Sequence, residues 1–152
     1  MANPRPKVLA VSSGGGHWIQ LLRLRPAFEG CDVTYATVHE GYRQDVGDED
    51  FRVIRNGNRW SKIDLLRSAL GIVGLLVKIR PDVVVTTGAA PGYFAIRFGK
   101  WFGARVVWVD SVANAQELSL SGKKAGGFAD LWLTQWPHLA GNGGPEYAGS
   151  VL

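Results

Sequence analysis

The stretch Lys7-Val8-Leu9-Ala10-Val11-Ser12-Ser13-Gly14-Gly15-Gly16-His17-Trp18 decides how this 152-residue chain is read. A short aliphatic run, Lys7 to Val11, breaks at Ser12 into a glycine turn, and a helix-like segment follows from Trp18 to Phe28. Glycines let the backbone approach a charged group, helix-start amides favour anions, and histidine moves a proton near neutral pH. Strand, glycine turn and helix in that order predict the opening of a parallel α/β unit whose turn faces phosphate or sugar chemistry.

The alternation continues outward from this opening. Asp32 to Ala36 reads as strand, Phe51 to Ile54 as a weaker strand and Ile63 to Ile79 as helix. Val83 to Thr86 is strand, Tyr93 to Phe102 helix, Arg105 to Val109 strand, and Ala129 to Thr134 a last core strand. The pattern predicts one α/β domain, a Rossmann-like doubly wound parallel sheet with helices on both faces. Glycines and Pro145 break the period between Pro137 and Ser150, which predicts an extended cover or exit strand.

In such a sheet the ligand crevice opens between the loops after the first strand and after the strand that begins the second half. Those loops are Ser12 to Gly16 and Thr86-Thr87-Gly88-Ala89-Ala90-Pro91-Gly92, with Asp110-Ser111 next along the edge. Ser13, Gly14, Gly15, Gly16, Thr87, Gly88 and Ser111 are therefore the candidate phosphate-binding positions. Ile19 stands where a dinucleotide fingerprint needs its third glycine, and no P-loop lysine is present. His17, in the first helical turn at the ligand edge, is poorly placed for the core; its roles are general base or donor to a phosphate oxygen. Asp110 either orients His17, binds a hydroxyl, acts as base itself or caps the following turn. His39 and His138 lie in loops without zinc spacing, so no metal is expected.

Composition sets the outer bounds. With 46% hydrophobic and 20% charged residues the chain is globular rather than disordered. Its one cysteine, Cys31, forms no internal disulfide, and the start lacks a signal-peptide hydrophobic region, so a cytoplasmic protein is expected. No uninterrupted apolar run reaches the roughly 20 residues that span a bilayer as a helix; the longest is Ala69 to Val77.

The formal charge of +4 is unevenly placed, because Arg52 to Arg80 holds seven basic residues and one acid. Within that segment Ile63, Leu66, Leu70, Val73 and Val77 share a helical face, and Leu65, Ile72, Leu75 and Leu76 widen it. Trp60, Lys62, Arg67, Lys78 and Arg80 flank it. Apolar residues nearly all round, with aromatic and basic flanks, predict an in-plane membrane contact through Trp60, Lys62, Leu66, Leu70, Val73 and Val77 rather than a pure core helix. Nucleic acid is not expected as a partner, because the aromatics sit in apolar elements and not in a basic stacking platform.

Three runs carry a more specific likeness: Gly14-Gly15-Gly16-His17; Arg80-Pro81-Asp82-Val83-Val84-Val85-Thr86-Thr87-Gly88; and Asp110-Ser111 followed by Leu118-Ser119-Leu120-Ser121-Gly122-Lys123. With Ala129-Asp130, Gln135-Trp136-Pro137 and Tyr147-x-Gly149, they make the chain resemble the Alg-fourteen and PssD family of glycosyltransferase subunits. The resemblance implies the N-terminal half of a GT-B glycosyltransferase, related more distantly to MurG. It implies a polyprenyl-diphosphate-linked saccharide acceptor at the cytoplasmic membrane face, with Gly14, Gly15 and Gly16 against the diphosphate and His17 as base. Asp110 stands where the family commonly has a longer-armed glutamate, and Asn114 where relatives often have arginine.

By the same resemblance no cofactor is needed. A UDP-sugar donor is bound mainly by a PssE-like or Alg-thirteen-like partner, which docks over the rim and against the tail, 137–152. The rival expectation is a non-catalytic membrane anchor that recruits and activates the partner. A dinucleotide-dependent reductase is disfavoured, since Ala36-Thr37 stands where an acidic residue ends the second strand.

Overall fold

A computed structural model describes residues 3–58 and 60–152. Seven parallel strands form one sheet: β1 (Lys7–Val11), β2 (Asp32–Thr37), β3 (Asp50–Val53), β4 (Val83–Thr86), β5 (Arg105–Val109), β6 (Leu131–Thr134) and β7 (Glu146–Tyr147). Their spatial order is β3-β2-β1-β4-β5-β6-β7. The order reverses between β1 and β4, which pair through Val8–Val83 to Val11–Thr86, and this reversal is where a doubly wound sheet opens its crevice. The α/β, Rossmann-like doubly wound architecture is the one the sequence predicts, and β4 and β5 match residue for residue.

Among the described residues four α-helices accompany the sheet: α1 (Gly16–Arg23), α2 (Lys62–Ile79), α3 (Ala89–Trp101) and α4 (Leu120–Ala125). The first is shorter than its sequence predicts. Pro26 has no N–H, and its ring would collide with the carbonyl four residues back, so the chain leaves α1 after Arg23 and tightens into a 3-10 turn, Arg25–Phe28. By contrast α3 starts four residues earlier than expected, with Pro91 in its first turn, where a missing N–H leaves no bond unmade. The unforeseen α4 begins at Ser119, whose hydroxyl accepts the Gly122 N–H at 2.9 Å. Phe128 and Ala129 complete its last turn by donating to the Ala125 carbonyl, which delays β6 to Leu131.

Alternation along the strands divides the core. Leu9, Val11, Val84, Val106 and Trp108 pack with Ile72, Leu76, Ala95 and Ile96 beneath α2 and α3. Val8, Ala10, Val33, Tyr35 and Val85 pack with Trp18, Leu21, Phe28 and Phe51 on the α1 face. The expectation of helices on both faces holds only in part: on the α1 face Val83, Val107, Leu131 and Leu133 line an open apolar groove of about 420 Å³ beside Leu24, Ala27 and Phe28.

Helix α2 is apolar on two opposite faces. Ser68, Ile72 and Leu76 are buried against the core, whereas Ile63, Leu66, Leu70 and Val77 point outward, each more than half exposed. Trp60, just ahead of the helix, is 90% exposed. No helix among the described residues is long and apolar enough to cross a membrane.

Candidate functional site

The carboxyl ends of β1, β4 and β5 meet at a cleft of about 160 Å³ lined by His17, Gly88, Asp110, Ser111, Asn114 and Ser119, among others. Of the residues nominated from sequence, the structure brings His17, Gly88, Asp110 and Ser111 together here. Thr87 stands behind them, fully buried.

His17 is fixed by two bonds to Thr87. Its Nδ1 lies 2.9 Å from the Thr87 carbonyl oxygen, and the Thr87 hydroxyl donates to the His17 carbonyl at 2.7 Å. A carbonyl only accepts, so Nδ1 carries the hydrogen, and in the neutral imidazole Nε2 is the atom with the lone pair. Nε2 has no hydrogen-bond partner among the described residues. Gly88 makes the ring's position possible: a β-carbon there would sit 2.9 Å from His17 Cε1, and its φ of 128° is one that side-chain-bearing residues rarely adopt.

Of the roles open to Asp110, orienting His17 falls to the Thr87 carbonyl, and holding the turn that follows is the one its contacts perform. Only 1% exposed, its carboxylate accepts four hydrogen bonds. Oδ1 takes Trp108 Nε1 at 3.0 Å and Ser119 Oγ at 2.6 Å; Oδ2 takes Asn114 Nδ2 and the Ser119 N–H, both at 3.0 Å. Asp110 therefore folds the β5–α4 loop back on itself and holds the residue that caps α4. Asn114, named from sequence as a departure from the family's arginine, completes this carboxylate's shell.

The glycine loop is partly covered. The Gly15 N–H donates to the Tyr42 hydroxyl at 3.0 Å, and Gly14 lies against the His39 ring. The Ser13 carbonyl accepts the hydroxyls of Ser12 and Thr37. Ser13 and the three glycines thus stand beside the cleft rather than among its lining residues. The first-turn amides of α1 beyond Gly15 have no carbonyl of their own helix to reach, which keeps them available to an anion.

Sequence reasoning missed the buried amides Gln20 and Gln135, which brace this rim, and Tyr42, which covers the loop. Polar residues at helix spacing or after a strand read as surface, so no periodic signal separates them. Gln135 is the partial exception, since the likeness to known subunits included Gln135-Trp136-Pro137.

The model of a family described as "Oligosaccharide biosynthesis protein Alg14 like" matches residues 49–151, well over half of the chain. A protein of Eremothecium gossypii named UDP-N-acetylglucosamine transferase subunit ALG14 is 27% identical over 90% of this chain and 75% of its own length. Among solved structures, MurG of Acinetobacter baumannii superposes on 94% of the chain with a TM-score of 0.75 at 13% identity. A UDP-N-acetylglucosamine 2-epimerase of Rickettsia bellii superposes on 97% with a TM-score of 0.73 at 14% identity. The chain spans 45% of each of these two structures. A transferase and an epimerase on one fold show that the fold alone does not choose between reactions.

Proposed function

Because the chain belongs to the Alg14-like oligosaccharide biosynthesis family, we propose that it is the acceptor-side subunit of a two-component inverting glycosyltransferase. The reaction moves a sugar from a UDP-sugar to a polyprenyl-diphosphate-linked saccharide, and a PssE-like or Alg-thirteen-like partner holds most of the donor. The relative's name as a transferase subunit supports this reading, as does the fold shared with MurG.

The observation that carries the chemistry is the His17–Thr87 bond, which leaves Nε2 as the basic atom of a side chain lining the cleft. Nε2 takes the proton of the acceptor hydroxyl as that oxygen bonds to the anomeric carbon. The bond from the anomeric carbon to the diphosphate oxygen breaks, and UDP leaves with the electron pair. One displacement inverts the carbon without a covalent enzyme intermediate. Ser13, Gly14, Gly16, Gly88 and Ser111 border the acceptor diphosphate, with the α1 amides as donors; Thr87 stands behind them holding His17, and the Gly15 amide serves Tyr42 instead. Asp110 helps by fixing Asn114 and Ser119 in the cleft wall.

Helix α2 supplies the contact with the cytoplasmic membrane face. Its outward stripe of Leu66, Leu70 and Val77, with the half-buried Val73 between them and Trp60 and Lys62 at one end, suits a helix lying in the headgroup plane above anionic lipid. A Leu66→Gln/Leu70→Gln variant is expected to lose most co-sedimentation with phosphatidylglycerol vesicles while keeping its melting temperature. Undiminished sedimentation would remove this part of the reading.

The same stripe favours the second reading, a membrane anchor whose partner holds all the chemistry. His17→Ala separates the two, assayed as the complex with UDP-N-acetylglucosamine and a polyprenyl-diphosphate saccharide. The catalytic reading expects an intact complex with transfer reduced about 10²–10⁴-fold, the usual contribution of a general base. Unchanged turnover would establish the anchor.

A further inference from the structure

Two buried glutamines link the His17 turn to the far end of the chain. Gln20, one turn along α1 from Gly16, is 5% exposed, and Gln135, just past β6, is 3% exposed. Gln20 Nε2 donates to the Gly16 carbonyl at 3.2 Å and to Ser111 Oγ at 3.1 Å. Its Oε1 accepts the Val112 N–H at 3.0 Å and Gln135 Nε2 at 2.6 Å. Gln135 Nε2 also donates to the Asp110 carbonyl at 3.0 Å, and its Oε1 accepts the Val151 N–H at 2.9 Å. Ser150 Oγ completes the set by donating to the Gln135 carbonyl at 2.8 Å.

Every donor and both acceptor sites of the Gln20 amide are engaged. Turning either amide over would set N–H against N–H and oxygen against oxygen in a buried site, so each has one orientation. The network touches the first residue of α1, the loop after β5 and residues 150–151. Those are the turn that leads into His17, the loop that carries Asp110 and Ser111 in the cleft wall, and the segment expected to meet a partner.

We propose that Gln20 and Gln135 are positioning residues that set the His17 turn against the Asp110–Val112 loop, and that the seating of Ser150–Val151 on Gln135 locks them. The proposal takes from the reading above only that His17 is what is positioned. A partner that grips the tail thereby acts on the register of the cleft walls.

The test compares Gln135→Met, which keeps the length and removes the amide, with Ser150→Ala, which loosens only the tail. Both are studied as the full chain by ¹⁵N NMR of the His17 ring and of the Gly16–Trp18 and Ser111–Ala113 amides, then as the complex by kinetics. Gln135→Met is expected to move those resonances and lower kcat about tenfold with KM for UDP-N-acetylglucosamine unchanged. Ser150→Ala is expected to move the same resonances by less, so it carries the test if Gln135→Met does not fold. A purely structural amide would lower the melting temperature without moving the His17 ring signals, and that result in either folded variant overturns the proposal. Shifted ring signals with undiminished kcat would uphold the positioning and instead refute His17 as base.

Discussion

The two ends of the sheet treat polar side chains in opposite ways. At the amino end Asp82 accepts the Lys7 N–H at 2.8 Å, and Asp130 accepts the Val106 N–H at 2.7 Å and Lys100 Nζ at 2.5 Å, so carboxylates stitch one strand start to the next. A hollow of about 680 Å³ lies there, lined by Arg80, Asp82, Phe102 and Arg105. At the carboxyl end the cleft is about 160 Å³, yet it contains His17 with Nε2 uncommitted. Asp110 belongs by position to the carboxyl end and by behaviour to the amino end, since donors occupy both its oxygens. An uncommitted basic atom, rather than cavity size or a charge at a strand end, is what distinguishes a reactive edge from a structural one.

The strongest way to break this contrast is at Asp110. Asp110→Ala leaves Trp108 Nε1, Asn114 Nδ2 and both Ser119 donors without their acceptor. Buried donors left unpaired cost about 1–3 kcal/mol each before relaxation, and a loss of about 3–5 kcal/mol in urea denaturation is expected. If transfer vanished while stability stayed at the wild-type level, Asp110 would rank with His17 as a reacting group. Gly88→Ala probes the reactive edge with the next largest effect. Its β-carbon would press on His17 Cε1 at a φ of 128°, and a destabilisation of about 1–3 kcal/mol with a displaced imidazole is expected. A crystal structure of the variant with the Nδ1–Thr87 bond intact would show that Gly88 does not set the ring.

How much of this contrast the sequence reveals depends on which residues repeat. The β-branched runs Val83–Thr86 and Arg105–Val109 are too short and too apolar for anything but interior strands, and their loops place the rim directly. The two faces of α2 are also legible from a 3.6-residue period. The outward one is the face predicted to meet a membrane, with Leu66, Leu70 and Val77 exposed, while Ile72 and Leu76 face the core and α3 packs against the helix. Helix α4 carries Lys123 and Lys124 in six residues and so shows no apolar stripe; its only signal is the capping spacing of Ser119 and Gly122. Sequence leaves Asp110 open between a reactive role and capping the turn after β5; capping is what its contacts show, and the choice rests on donors at separations of two, four and nine, which no local pattern registers.

Thr87 gives a smaller, sharper probe. Thr87→Val keeps the carbonyl that holds Nδ1 but removes the hydroxyl that donates to the His17 carbonyl at 2.7 Å. One buried hydrogen bond is worth about 1 kcal/mol, so stability falls by about that much, and transfer slows severalfold as the first turn loosens. A loss of stability with kcat unchanged would assign all the positioning to the carbonyl.

The smallest effect is expected at the amino end, where it is confined to stability. The hydrogen bond from Lys100 first, and the Val106 N–H second, hold the Asp130 carboxyl below the usual carboxylate range. A lowered folded value means that the stabilisation is complete above the unfolded value of about 3.9 and disappears as pH falls through the lower folded one. Because the Asp130 and Lys100 side chains are 35% and 40% exposed, solvent screens the pair and its contribution is about 1 kcal/mol or less. Asp130→Asn should therefore melt slightly below the wild type at pH 7, and the gap should narrow in acid, with transfer at pH 7 unaltered. Were this variant to slow transfer while melting like the wild type, the amino end would share in the chemistry, and the division between a stitched edge and a reactive one would fail.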